Sequence, residues 1–135
     1  MGLDVSAMPN SELLDGTEYL IFPHFLVWPS TSNPLVYRFR PGETPDTCLW
    51  ETFIFLPFEG EMPPPGPVIK LDVGEPMRDI PELGYVGPIL QQDCNNLEFI
   101  QNGMKASGTG VLQVARYQEG RIRHYHETID RYLAS

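Results

Sequence analysis

The run Gln91-Gln92-Asp93-Cys94-Asn95-Asn96-Leu97, continuing through Glu98-Phe99-Ile100-Gln101-Asn102-Gly103-Met104, decides how this chain is read. It reads as helix. At about 100° per residue, Asp93, Leu97, Ile100 and Met104 fall within one narrow stripe. A carboxylate is thereby set into an apolar face. Burying an unpaired charge costs several kcal/mol or more, so such a group normally faces a cation, a hydrogen-bond network or a metal. The plainer reading is an Asp near a helix start that accepts backbone N–H bonds. Pro88 argues against it: proline suits a first helical position, which moves Asp93 to the second turn. The stripe predicts an inward-facing helix, with Asp93 directed at a cavity or a truncated surface rather than bulk solvent.

Outward from this helix the chain is mostly strand and loop. Residues 1–15 are polar and weakly patterned, a short helix or a loose lead-in. Thr17 to Trp28 is aromatic and β-branched, and Pro23 within it suggests an edge position or a bulge. Pro34 to Pro41 alternates: Leu35, Tyr37 and Phe39 on one face, Val36, Arg38 and Arg40 on the other. A Pro-Gly-Glu-Thr-Pro-Asp turn leads to a second long strand, Thr47 to Phe58. Both of its faces are apolar toward the C-terminal half, which predicts cover on both sides. The three runs read as an antiparallel meander. Glu59 to Pro67 is too rich in Pro and Gly for regular structure. Val68 to Val73 reads as a short strand, and Gly74 to Gly87 as an ordered loop. The central helix ends near Ala106, before Ser107-Gly108-Thr109-Gly110. A last helix runs from about Tyr117 to Leu133, with Ile122, Tyr125, Ile129 and Tyr132 on one face. The two helices are expected against the sheet or its end. The sheet is expected to leave an open, aromatic-rich edge that invites further strands.

Composition narrows the function classes. The chain has 135 residues, a net charge of −9, 41% hydrophobic and 11% aromatic residues. That is enough for one domain with a core, and the aromatic content argues against disorder. An acidic chain is a poor match for nucleic acid or an anionic membrane. No apolar run approaches the ~18 residues of a spanning helix, and the N-terminus lacks a signal-peptide pattern. A cytoplasmic location is expected, with Cys48 and Cys94 as free thiols.

Other candidate sites are weaker. His126 and Asp130 stand at i, i+4, but such a pair on a helix surface is more often solvated than metal-bound. His124 and His126 point about 200° apart. His24 reads as a structural histidine or as a group turned toward a pocket. Glu119, Glu127 and Asp130 with Arg121, Arg123 and Arg131 read as an exposed face with local charge pairs. No phosphate loop and no Ser/His/Asp spacing occurs. Cys94 reads as a small buried side chain.

Taken together, DCNNLEFIQNGMKAS (93–107), YQEGRIRHYHETIDRYL (117–133), YLIFPHF (19–25) and PLVYRFRP (34–41) resemble the C-terminal part of the catalytic domain of Rieske-type aromatic-ring-hydroxylating oxygenase alpha subunits. Phe-Pro-His departs from the Phe-Pro-Asn more usual there. The resemblance implies an α+β, partial helix-grip (START-like) fold, an antiparallel sheet with two C-terminal helices. Residues 1–16 would be a lead-in and 17–135 the C-terminal portion of that domain. It also implies that Asp93 is the carboxylate of a two-His, one-carboxylate mononuclear Fe(II) site, and hence catalytic. Trp28, Ile89, Leu97 and, less directly, Glu18 would line the substrate cavity. Three of these are apolar, which suits an aromatic or other apolar small molecule.

Much of that machinery has no counterpart in these residues. A Rieske [2Fe–2S] cluster needs Cys-x-His and Cys-x-x-His pairs. Cys48 and Cys94 have no His at that spacing. His24, His124 and His126 do not form the family's iron-binding pair. The expectation is therefore a fragment, inactive alone, without the N-terminal Rieske segment that carries the cluster and without the N-terminal part of the catalytic domain, whose upstream helix carries the two iron-binding histidines and whose strands complete the sheet. The parent would be a homo-oligomer fed by a reductase or ferredoxin, without nucleic-acid or membrane partners. The rival reading is a non-enzymatic helix-grip-like domain that holds an apolar ligand.

Overall fold

The computed structural model describes residues 4–30, 34–56 and 58–135. They fall into two compact units, Met1–Lys70 and Leu71–Ser135. The fold class is α+β: a four-stranded antiparallel sheet plus helices.

The first unit opens with a short helix, α1 (Asn10–Leu14), and continues as a meander in the order β1 (Tyr19–Ile21), β2 (Phe25–Pro29), β3 (Pro34–Pro41), β4 (Cys48–Ile54). The run expected as one strand from Thr17 to Trp28 is two. The chain turns at Phe22-Pro23-His24, and Ile21 pairs with Phe25. Proline has no N–H to give a ladder, so the strand ends there. β3 matches the alternation read from sequence, with partners on both sides: Leu35 opposite Trp28 and Ile54, Tyr37 opposite Leu26 and Thr52. At the β3–β4 turn the Gly42 N–H donates to the Thr47 carbonyl at 2.9 Å. A Cβ on Gly42 would lie 2.6 Å from that oxygen, so only glycine fits.

Directly opposed residues share a face. One face therefore carries Leu26, Trp28, Leu35, Tyr37, Phe39, Trp50, Thr52 and Ile54. Trp50 meets Tyr37 edge-on at 5.4 Å and Phe39 at 5.3 Å. The other face carries Val36, Arg38, Arg40, Leu49, Glu51 and Phe53. The core of this unit is small: Leu35 and Val36 are its buried apolar side chains among the described residues.

β4 is shorter than expected, and its end is not covered on both faces. Phe53, Ile54, Phe55 and Leu56 are exposed. Pro57, within the expected strand, lies outside the described residues, as do residues 1–3 of the lead-in. Val68 to Val73 forms no strand, because no neighbouring strand offers it a ladder.

In the second unit, two 3-10 turns (Met77–Asp79 and Pro81–Leu83) precede α2 (Val86–Ala106), and α3 (Gly120–Leu133) closes the chain. α2 begins two residues before Pro88, which therefore sits at the third helical position. The first turn has no intrahelical acceptor for its N–H groups, so proline is harmless there. The core of this unit is Val86 and Leu90, buried where the 3-10 turns lie against α2. A Cβ on Gly87 would lie 3.0 Å from the Met77 carbonyl oxygen, which shows how closely the two backbones approach. The Met77 N–H donates to Gln91 Oε1 at 2.8 Å, and Gln91 Nε2 donates to Asn95 Oδ1. The Cys94 thiol donates to Met77 Sδ at 3.7 Å. Neither cysteine forms a disulfide among the described residues; Cys94 is half-buried and Cys48 exposed.

α3 starts three residues later than read from sequence. Tyr125 and Ile129 are half-buried, whereas Ile122 and Tyr132 of the same expected face are exposed. Among the described residues its arginines do not form the charge pairs expected of them. Arg123 donates to the Arg116 carbonyl and Arg131 to the Thr128 hydroxyl, while Glu119 accepts from the Ala115 N–H. Backbone and hydroxyl acceptors lie within reach of these long side chains, and an exposed ion pair offers little advantage over them.

Candidate functional site

Asp93 is the eighth residue of α2. The helix N-cap is Tyr85, without a side-chain capping bond, so Asp93 does not cap the helix. Its stripe is as regular as the sequence predicts, but it is not buried. Asp93 is exposed, and Leu97, Ile100 and Met104 retain about half of their accessible surface, at 49%, 52% and 49%. Burial of the stripe, one part of the expectation, is not observed: the 3-10 turns cover only the first turns of α2, as far as Cys94. Ile89 joins the same line at i−4 from Asp93 and is 52% exposed. Ile89, Asp93 and Leu97 thus occupy one face at successive i, i+4 steps.

The remaining residues singled out from sequence belong to the first unit. Trp28 lies on β2 and is half-buried, 3.6 Å from where a Cβ on Gly16 would stand. Glu18 is exposed, immediately before β1. His24 is exposed in the β1–β2 turn, and its carbonyl accepts the Phe39 N–H at 3.0 Å.

Two features escaped the sequence reading. One is a clamp on the sheet. Glu51 accepts from Arg38 at 2.6 and 3.0 Å and from Arg40 at 3.0 and 3.1 Å. The Arg38 guanidinium lies 5.6 Å from the centre of the Phe53 ring. Hydrogen bonds from Arg38 hold the Glu51 carboxyl down at about 2, with Arg40 adding to the effect against partial desolvation. The signal was present in the i, i+2 arginines of β3 opposite a lone glutamate, but it needs the strand register to be seen. The other is a set of buried polar atoms without hydrogen-bond partners: Trp28 Nε1, Trp50 Nε1 and Thr52 Oγ1, all on the aromatic face.

A mononuclear iron site needs three or so correctly placed donors. Among the described residues no three His, Cys, Asp or Glu side chains are grouped to hold a metal. The residues present do not make an iron site by themselves; they supply one carboxylate, on an accessible helix face.

Residues 4–135 match the family described as the ring hydroxylating alpha subunit (catalytic domain). The chain belongs to this family. The match runs through both units and includes Asp93. Neither the curated proteins nor the solved structures contain a match to the chain. No helix among the described residues is long and apolar enough to cross a membrane.

Proposed function

We propose that this chain is the carboxylate-bearing part of a Rieske-type non-haem iron oxygenase, whose reaction is dioxygen-dependent hydroxylation of an aromatic or related apolar substrate. The observation that carries the reading is the family match over residues 4–135. It is supported by the position of Asp93 on an apolar, uncovered helix face, clear of any capping role. In this reading Asp93 is one iron ligand. The two histidine ligands and the Rieske [2Fe–2S] cluster come from polypeptide outside these 135 residues. Ile89 and Leu97, flanking Asp93 on α2, are the apolar contacts for substrate. Trp28 and, less directly, Glu18 are further substrate contacts on the strength of the family resemblance alone. The assembly is a cytoplasmic homo-oligomer that receives electrons from a reductase or ferredoxin. Alone, the chain does not turn over.

The test is complementation. The chain is co-expressed with a segment that carries a paired-His helix and a Rieske motif, and mononuclear iron, cluster spectrum and product are measured. Asp93→Ala should abolish product and lower mononuclear iron while leaving the cluster spectrum intact. Wild-type turnover by that variant would remove Asp93 from the ligand set. A complemented protein that binds an apolar ligand without acquiring iron would favour a non-enzymatic binding domain.

A further inference from the structure

Asn96 is the one polar side chain that shares the Asp93 face of α2. Within about 60° of Asp93 around the helix axis, every other residue of α2 is apolar. Asn96 stands at i+3 from Asp93, which sets the two Cβ atoms about 5–6 Å apart. It also stands at i+7 from Ile89 and i−4 from Ile100, so it lies alongside the apolar line rather than behind it. The side chain is exposed and makes no hydrogen bond to another described residue.

Other amides of α2 show what a structural role looks like. Gln91 and Asn95 lie on the far side of the helix from Asp93. They are bonded to each other, and Gln91 is bonded to the Met77 N–H. Asn96 has no such use. It caps nothing, because the ends of α2 are at Tyr85 and Ser107. Asparagine is also a poor helix former, since its side chain competes for backbone hydrogen bonds. The fold therefore gives no reason for an amide at this position.

A cavity that closes over this face does give one. A carboxamide cut off from water without a partner is costly, so whatever fills the cavity has to supply the partner. The group offers two N–H donors and one carbonyl acceptor, and so can meet an ether or carbonyl oxygen or a hydroxyl. No cationic side chain shares the face, so a charged acid group would find no counter-ion on α2, and a neutral oxygen fits better.

We infer that Asn96 is a specificity-determining residue, whose carboxamide hydrogen-bonds a neutral oxygen substituent (hydroxyl, ether or carbonyl) of an otherwise apolar aromatic substrate seated on Ile89 and Leu97. The inference rests on the proposed function for the placing of a substrate at this face, and it does not require turnover.

The test uses the chain complemented with the paired-His and Rieske segments, and probe pairs that differ in oxygen against carbon: phenol and toluene, anisole and ethylbenzene, acetophenone and α-methylstyrene. Binding is measured by calorimetry and product by chromatography. The oxygen-bearing member of each pair should be preferred at least about fivefold, and Asn96→Leu should erase the preference. Asn96→Asp keeps the size of the side chain but can only accept, so it should retain phenol and lose anisole and acetophenone. Equal losses for both members of each pair in Asn96→Leu would mean that Asn96 holds the protein and not the ligand, and would overturn the inference. So would a wild-type protein that binds no probe, or that binds the carbon members as well as the oxygen ones. An Asn96-dependent preference in binding without product supports the contact and removes the oxygenase reading. Product without any preference does the reverse.

Discussion

β3 and α2 carry equally regular apolar patterns, and the chain treats them differently. β3 has a strand on each side and supplies both buried apolar residues of its unit, Leu35 and Val36. α2 has cover over its first turns only. Leu90 is fully buried at 0% exposure, while Leu97, two turns on, keeps 49% of its surface. A pattern thus specifies an element and the face that seeks cover. It does not specify that the cover lies within the same chain. The C-terminal end of β4 and the Asp93 stripe of α2 are the places where pattern and cover part company.

The largest test of this contrast lies within one helix. Leu90→Ala should destabilise the chain by about 2–5 kcal/mol, the usual range for a buried leucine that leaves a cavity. Leu97→Ala should cost less than about 1 kcal/mol, because half of the side chain is already in water. Urea titrations of both variants measure the difference. Equal losses would mean that the Asp93 stripe is covered after all, and the contrast between β3 and α2 would disappear.

Two glycines of α2 sharpen the same boundary. Gly87 faces the Met77 carbonyl with 3.0 Å available to a Cβ, so Gly87→Ala should destabilise by about 1–3 kcal/mol through overpacking. Gly103 has nothing within 4 Å. Gly103→Ala should stabilise by about 0.5–1 kcal/mol, since alanine restricts the unfolded chain and favours helix. Opposite signs from one substitution, read in thermal melts, would mark where the cover of α2 ends.

The Glu51 clamp gives the sheet a pH signature. The carboxyl is depressed to about 2 in the folded chain. Its stabilisation is therefore complete above the ordinary carboxylate range and is lost as pH falls toward 2. Glu51→Gln should flatten that acid limb of the stability–pH curve without moving its neutral part in the same way. Because the arginines are partly exposed, added salt should weaken the effect. An acid limb unchanged by Glu51→Gln would mean that the clamp contributes nothing in solution.

What was legible from sequence follows the same division. β3 was read to the residue, because strict alternation between two prolines leaves little freedom. The body of α2 and its stop near Ala106 were legible from periodicity and the Ser-Gly-Thr-Gly break. The split at Pro23 was half legible: the proline announced a disturbance, but a turn and a bulge look alike until the partner strand is known. The Glu51 clamp was hidden because it depends on register, which the turn at Gly42 fixes. The exposure of the Asp93 stripe was hidden for a different reason. Periodicity reports which face is apolar and is silent about what covers it.

Asp93→Ala in the 135-residue chain has the smallest expected effect and separates most cleanly what the residue does from what surrounds it. A helix cap would lose about 1 kcal/mol on replacement by alanine. A buried charge held by a partner would lose several. Asp93 is neither: it is the eighth residue of α2, exposed, and the N-cap is Tyr85. Alanine is the better helix former by about 0.5 kcal/mol, and one negative charge is removed from a chain of net −9. The substitution should therefore leave stability unchanged or raise it by up to about 0.5 kcal/mol, as measured by urea denaturation. A carboxylate that contributes nothing to the fold, set between Ile89 and Leu97 on an otherwise apolar line, calls for an explanation outside the fold. A loss greater than about 1 kcal/mol would supply one within it, and would return Asp93 to a structural role.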